Sequence, residues 1–397
     1  MNKRWGVLFV LRIVDFLLLA RRKALRPRDL SQIKNFLFLQ YETPLGAAVN
    51  STPVFEALKK TIPDARICVA CSGMSLEVLK YNPHIDELVK TAHPRSRFLR
   101  TAWNFMMDVG LRERGFDCVI TDCSNRQTRI ALLAMASRAP VRLGFTHVTE
   151  IYDIVLNYDD RKSLLANNLS IINALGHGCV TDTEPAVYFS PGDVAEVEAF
   201  LEREGLGADK SIIAVATRTS GGYPEKRLWR GERFAAVADH LQRTVGCRIV
   251  YVGTADDRPA IDEVRNLMSS ESTSSAGRFS VPELAAFLCH CDLMLTLDAG
   301  VMHVARAVEL PLVIISRPWQ SPHEWLPVGL PRAIILGNSE IIDKCRANPT
   351  FVASDYIDEV AEDDVTAAVY EMLKRYPVSL DARRCRVMKR TVASKPL

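Results

Sequence analysis

The most constraining feature of this sequence is an alternation between short apolar runs and longer stretches of helical periodicity. Residues 36–40 form such a run, residues 48–60 have helical spacing, and residues 66–70 form the next run. Short apolar runs predict buried strands, and strands that alternate with helices predict a parallel sheet covered on both faces. We therefore predict that a doubly wound α/β domain begins near residue 34.

The alternation continues and then restarts, which predicts two domains. Strands are expected at 117–121 and 141–145, and a second series runs over 212–316 after a polar stretch. At 397 residues the chain is too long for one ordinary core and fits two. We predict two doubly wound, Rossmann-like domains, at 34–185 and 186–375. A basic tail, 376–397, follows them, and its pattern does not assign a structure.

Residues 1–33 form a separate N-terminal segment. Residues 5–20 are apolar except for Arg12 and Asp15, and basic residues flank them on both sides. The stretch is too short and too interrupted for a membrane span, and basic residues stand where a signal peptide would be cut. Two alternatives are open: an amphipathic helix in the membrane interface, or a helix packed on the first domain or on another subunit. We expect a cytoplasmic protein, which the first alternative would place on the inner face of the cytoplasmic membrane.

Composition excludes several classes of protein. Apolar residues make up 48% of the chain and charged residues 24%, the balance of a soluble globular protein. The formal net charge is only +3, so we expect no nucleic-acid partner. The ten cysteines lie mostly in apolar runs and are predicted to be reduced thiols. The pairs at 68/71 and 289/291 lack partner pairs at metal-ligand spacing, so no metal site and no cofactor are predicted.

The loops after the strands are where a ligand is expected, because open parallel sheets bind ligands beyond the carboxyl ends of their strands. The sharpest candidate is Asp298-Ala299-Gly300, which opens a helix that contains His303. Glycine lets the backbone approach a ligand, and the free amides of a first helical turn attract a phosphate, to which His303 could donate. The alternative is that Asp298 only caps the helix and His303 is a core residue.

Two further loops of the second domain are candidates. Thr217 and Thr219 follow a strand, and Lys226 and Arg227 come soon after them. Hydroxyls and adjacent cations suit a pyrophosphate whose charge is neutralised without a metal, although a solvated loop would have a similar composition. In the next loop, Asp257 could hold ribose hydroxyls or only cap a helix.

In the first domain, a base that activates an acceptor group is expected in the loops at the carboxyl end of the sheet. Glu42 is the only carboxylate in the loop of residues 40–47, and Asp122 follows the strand at 117–121. Both would face a cleft if the two domains oppose each other. The alternative for Glu42 is an exposed loop acid without a catalytic role.

Taken together, these loops resemble glycosyltransferase family 9, the ADP-heptose:lipopolysaccharide heptosyltransferases, over about residues 34–375. The most specific match is Asp298-Ala299-Gly300-x-x-His303, which is similar to the family's Asp-Ser/Thr-Gly-x-x-His. Lys226-Arg227-Leu228-Trp229 with Glu232-Arg233-Phe234 looks like the family's Lys-x-Trp-Pro-x-Glu-x-Phe segment. The matches in the first domain are Leu45-Gly46, Thr52-Pro53, Ala57-Leu58-Lys59-Lys60, Pro63-Asp64-Ala65, Asn82-Pro83-His84-Ile85-Asp86-Glu87 and Arg142-Leu143-Gly144-Phe145.

The resemblance implies a GT-B type fold, in which two Rossmann-like domains face a cleft. The first domain would bind the acceptor, and the second would bind the nucleotide sugar. Gly46 would contact substrate, and Lys226 or Arg227 and the turn 300–303 would contact the diphosphate. The resemblance also implies inverting, metal-independent transfer from a nucleotide-diphosphate sugar, such as ADP-heptose, to a lipid-linked saccharide, the lipopolysaccharide precursor. An interfacial N-terminal helix would suit such an acceptor.

Two positions depart from the family pattern. The family's Leu-Gly-Asp carries the acidic residue thought to be the general base, and the aligned residue here is Ala47; Ala299 replaces the hydroxyl of Asp-Ser/Thr-Gly. General-base assistance is worth about 100-fold to 10,000-fold, so an active enzyme needs another group, and Glu42 is the candidate. The alternatives are a different acceptor, a non-catalytic nucleotide-sugar-binding protein, and, less favoured, a sugar-nucleotide epimerase of similar two-domain shape.

Overall fold

The computed structural model of the protein describes residues 30–41, 43–92, 105, 107, 109, 114–178, 183–207, 210–219, 228–316, 322–337 and 360–393. The chain divides into two compact units, and the boundary falls between Glu184 and Pro185.

The first unit contains a six-stranded sheet in which all paired strands are parallel. Its strands are β1 (Asn35–Gln40), β2 (Arg66–Cys71), β3 (Glu87–Lys90), β4 (Cys118–Thr121), β5 (Val141–Phe145) and β6 (Ile154–Leu156). Their spatial order is β3-β2-β1-β4-β5-β6. The order reverses between β1 and β4, so the loops after these two strands flank the point where open α/β sheets bind ligands.

Helices bury the apolar faces of this sheet. Those with described bounds are α1 (Leu45–Thr61), α2 (Met74–Leu79), α3 (Thr128–Ala136) and α4 (Leu164–Ala174). Every residue of α1 from Gly46 to Phe55 is buried, and α1 packs against α4. Ser163 fixes the start of α4, because its hydroxyl accepts a hydrogen bond from Ala166 N at 3.1 Å.

The second unit repeats this winding. Its strands are β7 (Ile212–Ala216), β8 (Arg248–Tyr251), β9 (Thr273–Ser274), β10 (Leu293–Leu297), β11 (Leu312–Ile315) and β12 (Ala333–Leu336). Their order is β12-β11-β10-β7-β8-β9, and all the pairs are parallel. The switch point therefore lies between β7 and β10.

The helices of the second unit begin and end at residues that the sequence marks. They are α5 (Pro191–Arg203), α6 (Gly231–Val245), α7 (Arg258–Leu267), α8 (Val281–His290), α9 (Gly300–Ala307), α10 (Pro322–Trp325), α11 (Glu362–Arg375) and α12 (Leu380–Arg390). Ser190 and Ser280 close capping boxes at the starts of α5 and α8. Gly246, with a left-handed φ of 71°, ends α6.

Aspartates fasten the amino-terminal edges of both sheets. In the first unit, Asp117 Oδ2 accepts a hydrogen bond from Asn35 N at 2.9 Å. In the second unit, Asp292 Oδ2 accepts one from Ile212 N at 2.9 Å. Each aspartate directly precedes one strand and holds the first residue of the neighbouring strand. These carboxylates are structural, so the candidate sites lie at the opposite edge of each sheet.

The doubly wound α/β fold predicted from the sequence is confirmed in both units, and β5, β7 and β10 have the predicted bounds. Of the N-terminal segment 1–33, residues 1–29 lie outside the described residues. The basic tail, for which the sequence assigned no structure, contains α12. Among the described helices, none combines the length and the apolar character that crossing a membrane requires.

Candidate functional site

A buried carboxylate lies at the switch point of the first sheet. Asp122 directly follows β4 and is 2% exposed. Its Oδ2 accepts a hydrogen bond from Gln40 Nε2 at 2.8 Å. Its Oδ1 accepts from Ser124 N at 2.9 Å, from Asn125 N at 3.1 Å and from Asn125 Nδ2 at 2.9 Å. Gln40 ends β1, so the Asp122 carboxylate joins the ends of the two central strands.

Two asparagines extend this network. Asn125 Oδ1 accepts a hydrogen bond from Tyr41 N at 2.8 Å, in the loop after β1. Asn168, in α4, accepts from Cys123 N at 3.1 Å and donates to Asn50 O of α1 at 3.4 Å. The sequence did not predict these amides. Asn125 lies in a loop of polar residues, and nothing in the local pattern marks Asn168, inside a helix, as a partner of a distant loop.

Burial raises the pKa of Asp122 above its ordinary value, although the hydrogen bonds from Asn125, Ser124 and Gln40 partly offset this effect. A general base must come within about 3 Å of the proton that it removes, directly or through one water. Both oxygens of Asp122 are already engaged inside the unit, so the geometry is that of a group that positions the loop after β1. Glu42, the other predicted base, lies outside the described residues.

The first turn of α1 carries the position where the family pattern has its acidic residue. That position is Ala47, which is 1% exposed and offers only a methyl group. Gly46 precedes it, and its carbonyl accepts a hydrogen bond from Asn50 Nδ2 at 2.8 Å. The N-cap is Pro44, which provides no side-chain cap.

In the second unit, the start of α9 is the strongest candidate for binding an anion. Ala299 is the N-cap, with an extended backbone (φ −137°, ψ 160°), and it makes no side-chain cap. Gly300 is the first helical residue. The first amides of a helix lack partners within the helix and carry about half a positive charge. Met302 N donates to Ala299 O at 3.1 Å, and the Ala299 side chain provides no cap, so the amides of Gly300 and Val301 are the candidates for binding a phosphate.

Buried hydroxyls follow the neighbouring strand. Ala216 pairs with Thr296 in the register of β7 and β10, so Thr217 lies beside the end of β10. Thr217 is 4% exposed, and within the described residues neither its Oγ1 nor that of Thr219 has a hydrogen-bond partner. Leaving a buried polar group unpaired costs about 1–3 kcal/mol. Such hydroxyls at a sheet's ligand-binding edge are typical of a site that a ligand completes.

His303 lies one turn inside α9 and is 2% exposed. Its ring centroid is 6.0 Å from that of Trp325. Burial, together with the charge of Arg306, lowers the pKa of His303 to about 3. The imidazole is therefore neutral at pH 7 and can offer a hydrogen bond but no positive charge. Charge neutralisation at this site has to come from the α9 amides and from cations, since His303 contributes none.

Asp257 has the capping geometry that the sequence left as one alternative. Its Oδ2 accepts hydrogen bonds from Thr254 N at 2.8 Å and from Thr254 Oγ1 at 2.7 Å, which closes a capping box before α7. It follows β8, whereas the predicted diphosphate residues follow β7 and β10. A ribose contact from Asp257 stays a prediction.

Lys226 and Arg227 lie outside the described residues. The chain just after them is anchored by Trp229, which is 2% exposed. Trp229 Nε1 donates a hydrogen bond to Val360 O at 2.9 Å, and its ring centroid is 4.8 Å from that of Phe234. This anchor fixes the chain at Trp229, two residues after Arg227.

Within the described residues, no cluster of three or more His, Cys, Asp or Glu side chains has a metal-binding arrangement. The eight cysteines described are free, and seven of them are buried. Burial raises the pKa of Cys68 and Cys71 to about 12, so neither thiol is a nucleophile near neutral pH.

Two tandem units, each with a six-stranded parallel sheet of the same winding, define a protein of the GT-B architecture. The model of glycosyltransferase family 9 (heptosyltransferase) matches residues 107–351, more than half of the chain, and the chain belongs to this family.

Known proteins support the same classification. Lipopolysaccharide heptosyltransferase 3 of Escherichia coli is 23% identical over 300 residues, which cover 70% of this chain and 84% of that protein. A glycosyl transferase family 9 structure from Veillonella parvula has a TM-score of 0.76 at 23% identity, over 88% of this chain and 99% of that one. The E. coli ADP-heptose lipopolysaccharide heptosyltransferase II structure has a TM-score of 0.67 at 16% identity, over 85% and 98% of the two chains. At these identities, the structural likeness shows the fold.

Proposed function

We propose that this chain transfers a heptose from ADP-heptose to a sugar hydroxyl of a lipid-linked lipopolysaccharide precursor. The observation that carries the proposal is the start of α9, where the N-cap residue Ala299 provides no side-chain cap, beside the buried hydroxyl of Thr217. The names of the relatives, a lipopolysaccharide heptosyltransferase and an ADP-heptose lipopolysaccharide heptosyltransferase, support this choice of donor and acceptor.

The second unit would bind the donor. The amides of α9 and the hydroxyls of Thr217 and Thr219 would hold the diphosphate oxygens, and His303 would donate one neutral hydrogen bond. Lys226 or Arg227 would supply the positive charge, so the departing ADP is stabilised by the protein's own dipole and cations without a metal.

The first unit would bind the acceptor and remove its proton. The acceptor oxygen attacks the anomeric carbon from the side opposite the diphosphate, the bond to ADP breaks, and the acceptor's proton moves to a carboxylate. Glu42 is the proposed base. Asp122, whose two oxygens are occupied, would hold the loop that carries Glu42.

A lipid-linked acceptor would bring the protein to the inner face of the cytoplasmic membrane. The apolar stretch within residues 1–33, with basic residues on both sides, would form the interfacial contact.

The test is ADP release from ADP-heptose, measured with and without a truncated lipopolysaccharide acceptor. Glu42→Gln should lower kcat by about 100-fold to 10,000-fold and leave donor affinity unchanged. Thr217→Val should weaken donor binding. Glu150→Gln, at an exposed position of the first unit, is the matched control and should retain full activity. Full activity in Glu42→Gln would reject the base assignment, and absence of donor binding to the unaltered chain would reject the proposal.

The competing candidate is a nucleotide-sugar-binding protein without transferase activity. It is favoured by the buried methyl group of Ala47 at the position of the family's acidic residue. This candidate predicts ADP-heptose binding that depends on Thr217 but no transfer to any acceptor of a graded series of truncated lipopolysaccharides. Acceptor-dependent ADP release decides against it.

A further inference from the structure

An arginine-lined cavity lies at the edge of the second sheet. Its volume is about 560 Å³, and its walls come from α5, α7 and the segment around the edge strand β9. Four of its lining residues are arginines, namely Arg203, Arg258, Arg265 and Arg278. Thr217, Thr219 and the start of α9 do not line it, so it is separate from the proposed diphosphate site.

Arg265 and Arg258 differ in how many of their N–H groups form hydrogen bonds within the protein. Arg265 Nη1 donates to Asp262 Oδ1 at 3.0 Å, and its Nη2 donates to Ser272 O at 2.7 Å, so its guanidinium is structural. Arg258 Nη2 donates to Ala276 O at 3.0 Å. A guanidinium has five N–H groups, and this one bond orients Arg258 while its other N–H groups can serve a ligand.

The other two arginines lie against one aromatic ring. The guanidinium carbons of Arg203 and Arg278 are each 5.6 Å from the centroid of Phe200, which is 1% exposed and therefore fixed. Each forms an ion pair with one glutamate: Arg203 Nε is 3.5 Å from Glu204 Oε1, and Arg278 Nη2 donates to Glu196 Oε1 at 3.4 Å. These exposed pairs are weak, so an anion in the cavity can compete with them.

Charge and size together define the ligand. Four arginines and two carboxylates, Glu204 and Asp262, line the cavity, and Glu196 pairs with Arg278 from outside the lining, which leaves an excess of one positive charge. Guanidinium groups bind phosphate oxygens through paired N–H donors. The volume lies within the range of about 300–1,000 Å³ that small-molecule sites occupy. We propose that this cavity is a second ligand site, which binds a phosphate monoester of the size of a sugar phosphate.

The test uses the full chain and glucose 6-phosphate, with glucose and inorganic phosphate as comparison ligands, in isothermal titration at physiological ionic strength. Glucose 6-phosphate should bind, and Arg203→Gln/Arg278→Gln should weaken it at least about tenfold, since each guanidinium gives charge-assisted hydrogen bonds. Both side chains are substantially exposed, so the double variant should fold, which an unchanged thermal midpoint would verify.

Two further variants make the result specific. Arg243→Gln, at an exposed arginine of α6 outside the cavity, should bind glucose 6-phosphate normally. Thr217→Val should also bind it normally, because Thr217 belongs to the proposed diphosphate site. Absence of binding, equal binding of glucose, or unchanged binding in the double arginine variant overturns the proposal. Loss of binding in Thr217→Val also overturns it, because the ligand would then occupy the diphosphate site.

Discussion

Gln40 Nε2 donates a 2.8 Å hydrogen bond to Asp122 Oδ2, and this contact joins the carboxyl ends of β1 and β4. The two side chains are 1% and 2% exposed. Asn125 donates to the same carboxylate and accepts a hydrogen bond from Tyr41 N, so residues that follow β4 fix the position of the loop after β1. The proposed base, Glu42, is the next residue of that loop. Asp122 would therefore affect catalysis by fixing the position of Glu42.

Asp122→Asn should weaken the hydrogen bonds that position the loop after β1, while the proposed base, Glu42, stays in place. In the variant, an amide nitrogen would replace one acceptor oxygen and face N–H donors, so buried polar groups would lose their hydrogen bonds. We expect the free energy of unfolding to fall by about 1–3 kcal/mol. We also expect kcat to fall, while the acidic limb of its pH profile stays unchanged. Glu42→Gln should remove the limb. Asp160→Asn, at an exposed site, is the control. Loss of the limb in Asp122→Asn with unchanged stability would identify Asp122 as the base.

The open start of α9 predicts that a hydroxyl at position 299 stabilises the protein. Ala299 has the extended backbone of an N-cap residue, but its methyl side chain cannot accept a hydrogen bond from the first turn. Ala299→Thr and Ala299→Val have nearly the same shape, so their comparison isolates the hydroxyl. We expect the threonine variant to be the more stable by about 1 kcal/mol in urea unfolding. Equal stability of the two variants would mean that the α9 amides already have partners in the free protein.

The strands that the sequence predicts best are the buried central ones. The runs at 212–216 and 293–297 are observed as β7 and β10 with the same bounds, because a strand buried on both faces is a continuous apolar run. None of the four edge strands, β3, β6, β9 and β12, was predicted. β3 contains two charged residues and β9 has only two residues, so neither has a pattern that differs from a loop.

The candidate site could be predicted only as a set of loops. The sequence placed Asp122 at a strand end, but Asn168, which accepts a hydrogen bond from Cys123 N of the same loop, comes from a helix of another βα unit, and only the fold brings the two regions together. The C-terminal helix α12 escaped prediction for a different reason. It has no apolar stripe, and arginines hold it: Arg386 Nη2, for example, donates to Cys289 O at 3.1 Å near the end of α8.

Two histidines, the buried His303 and the partly buried His290, should make the stability depend on pH. Burial, with nearby arginines, lowers the pKa of His303 to about 3 and that of His290 to about 4, from an ordinary 6.5. The unfolded chain therefore binds more protons below pH 6.5, and stability falls as the pH drops from 6.5 towards 4. Each histidine should account for about 2 kcal/mol of this loss at pH 5.

Urea unfolding at pH 7 and pH 5 measures this dependence. His290→Gln should remove about half of the histidine contribution, whereas His323→Gln, at an exposed position, should behave like the unaltered protein. The assignment fails if His290→Gln loses as much stability between the two pH values as the unaltered protein does.

A buried ion pair fastens α12 to the second sheet, and its removal should be strongly destabilising. Arg383 Nε donates to Asp292 Oδ1 at 2.9 Å, and the two side chains are 5% and 4% exposed. Arg383→Leu would leave the Asp292 carboxylate buried without its cation, which costs about 3–5 kcal/mol. Arg384→Leu removes the same charge at the next, exposed residue and should change stability by no more than about 0.5 kcal/mol. Because Asp292 also holds Ile212 N at the start of β7, the loss in Arg383→Leu should reach the core of the sheet. Tryptophan fluorescence in urea would measure both variants, and equal stabilities would show that the pair contributes nothing beyond its charge.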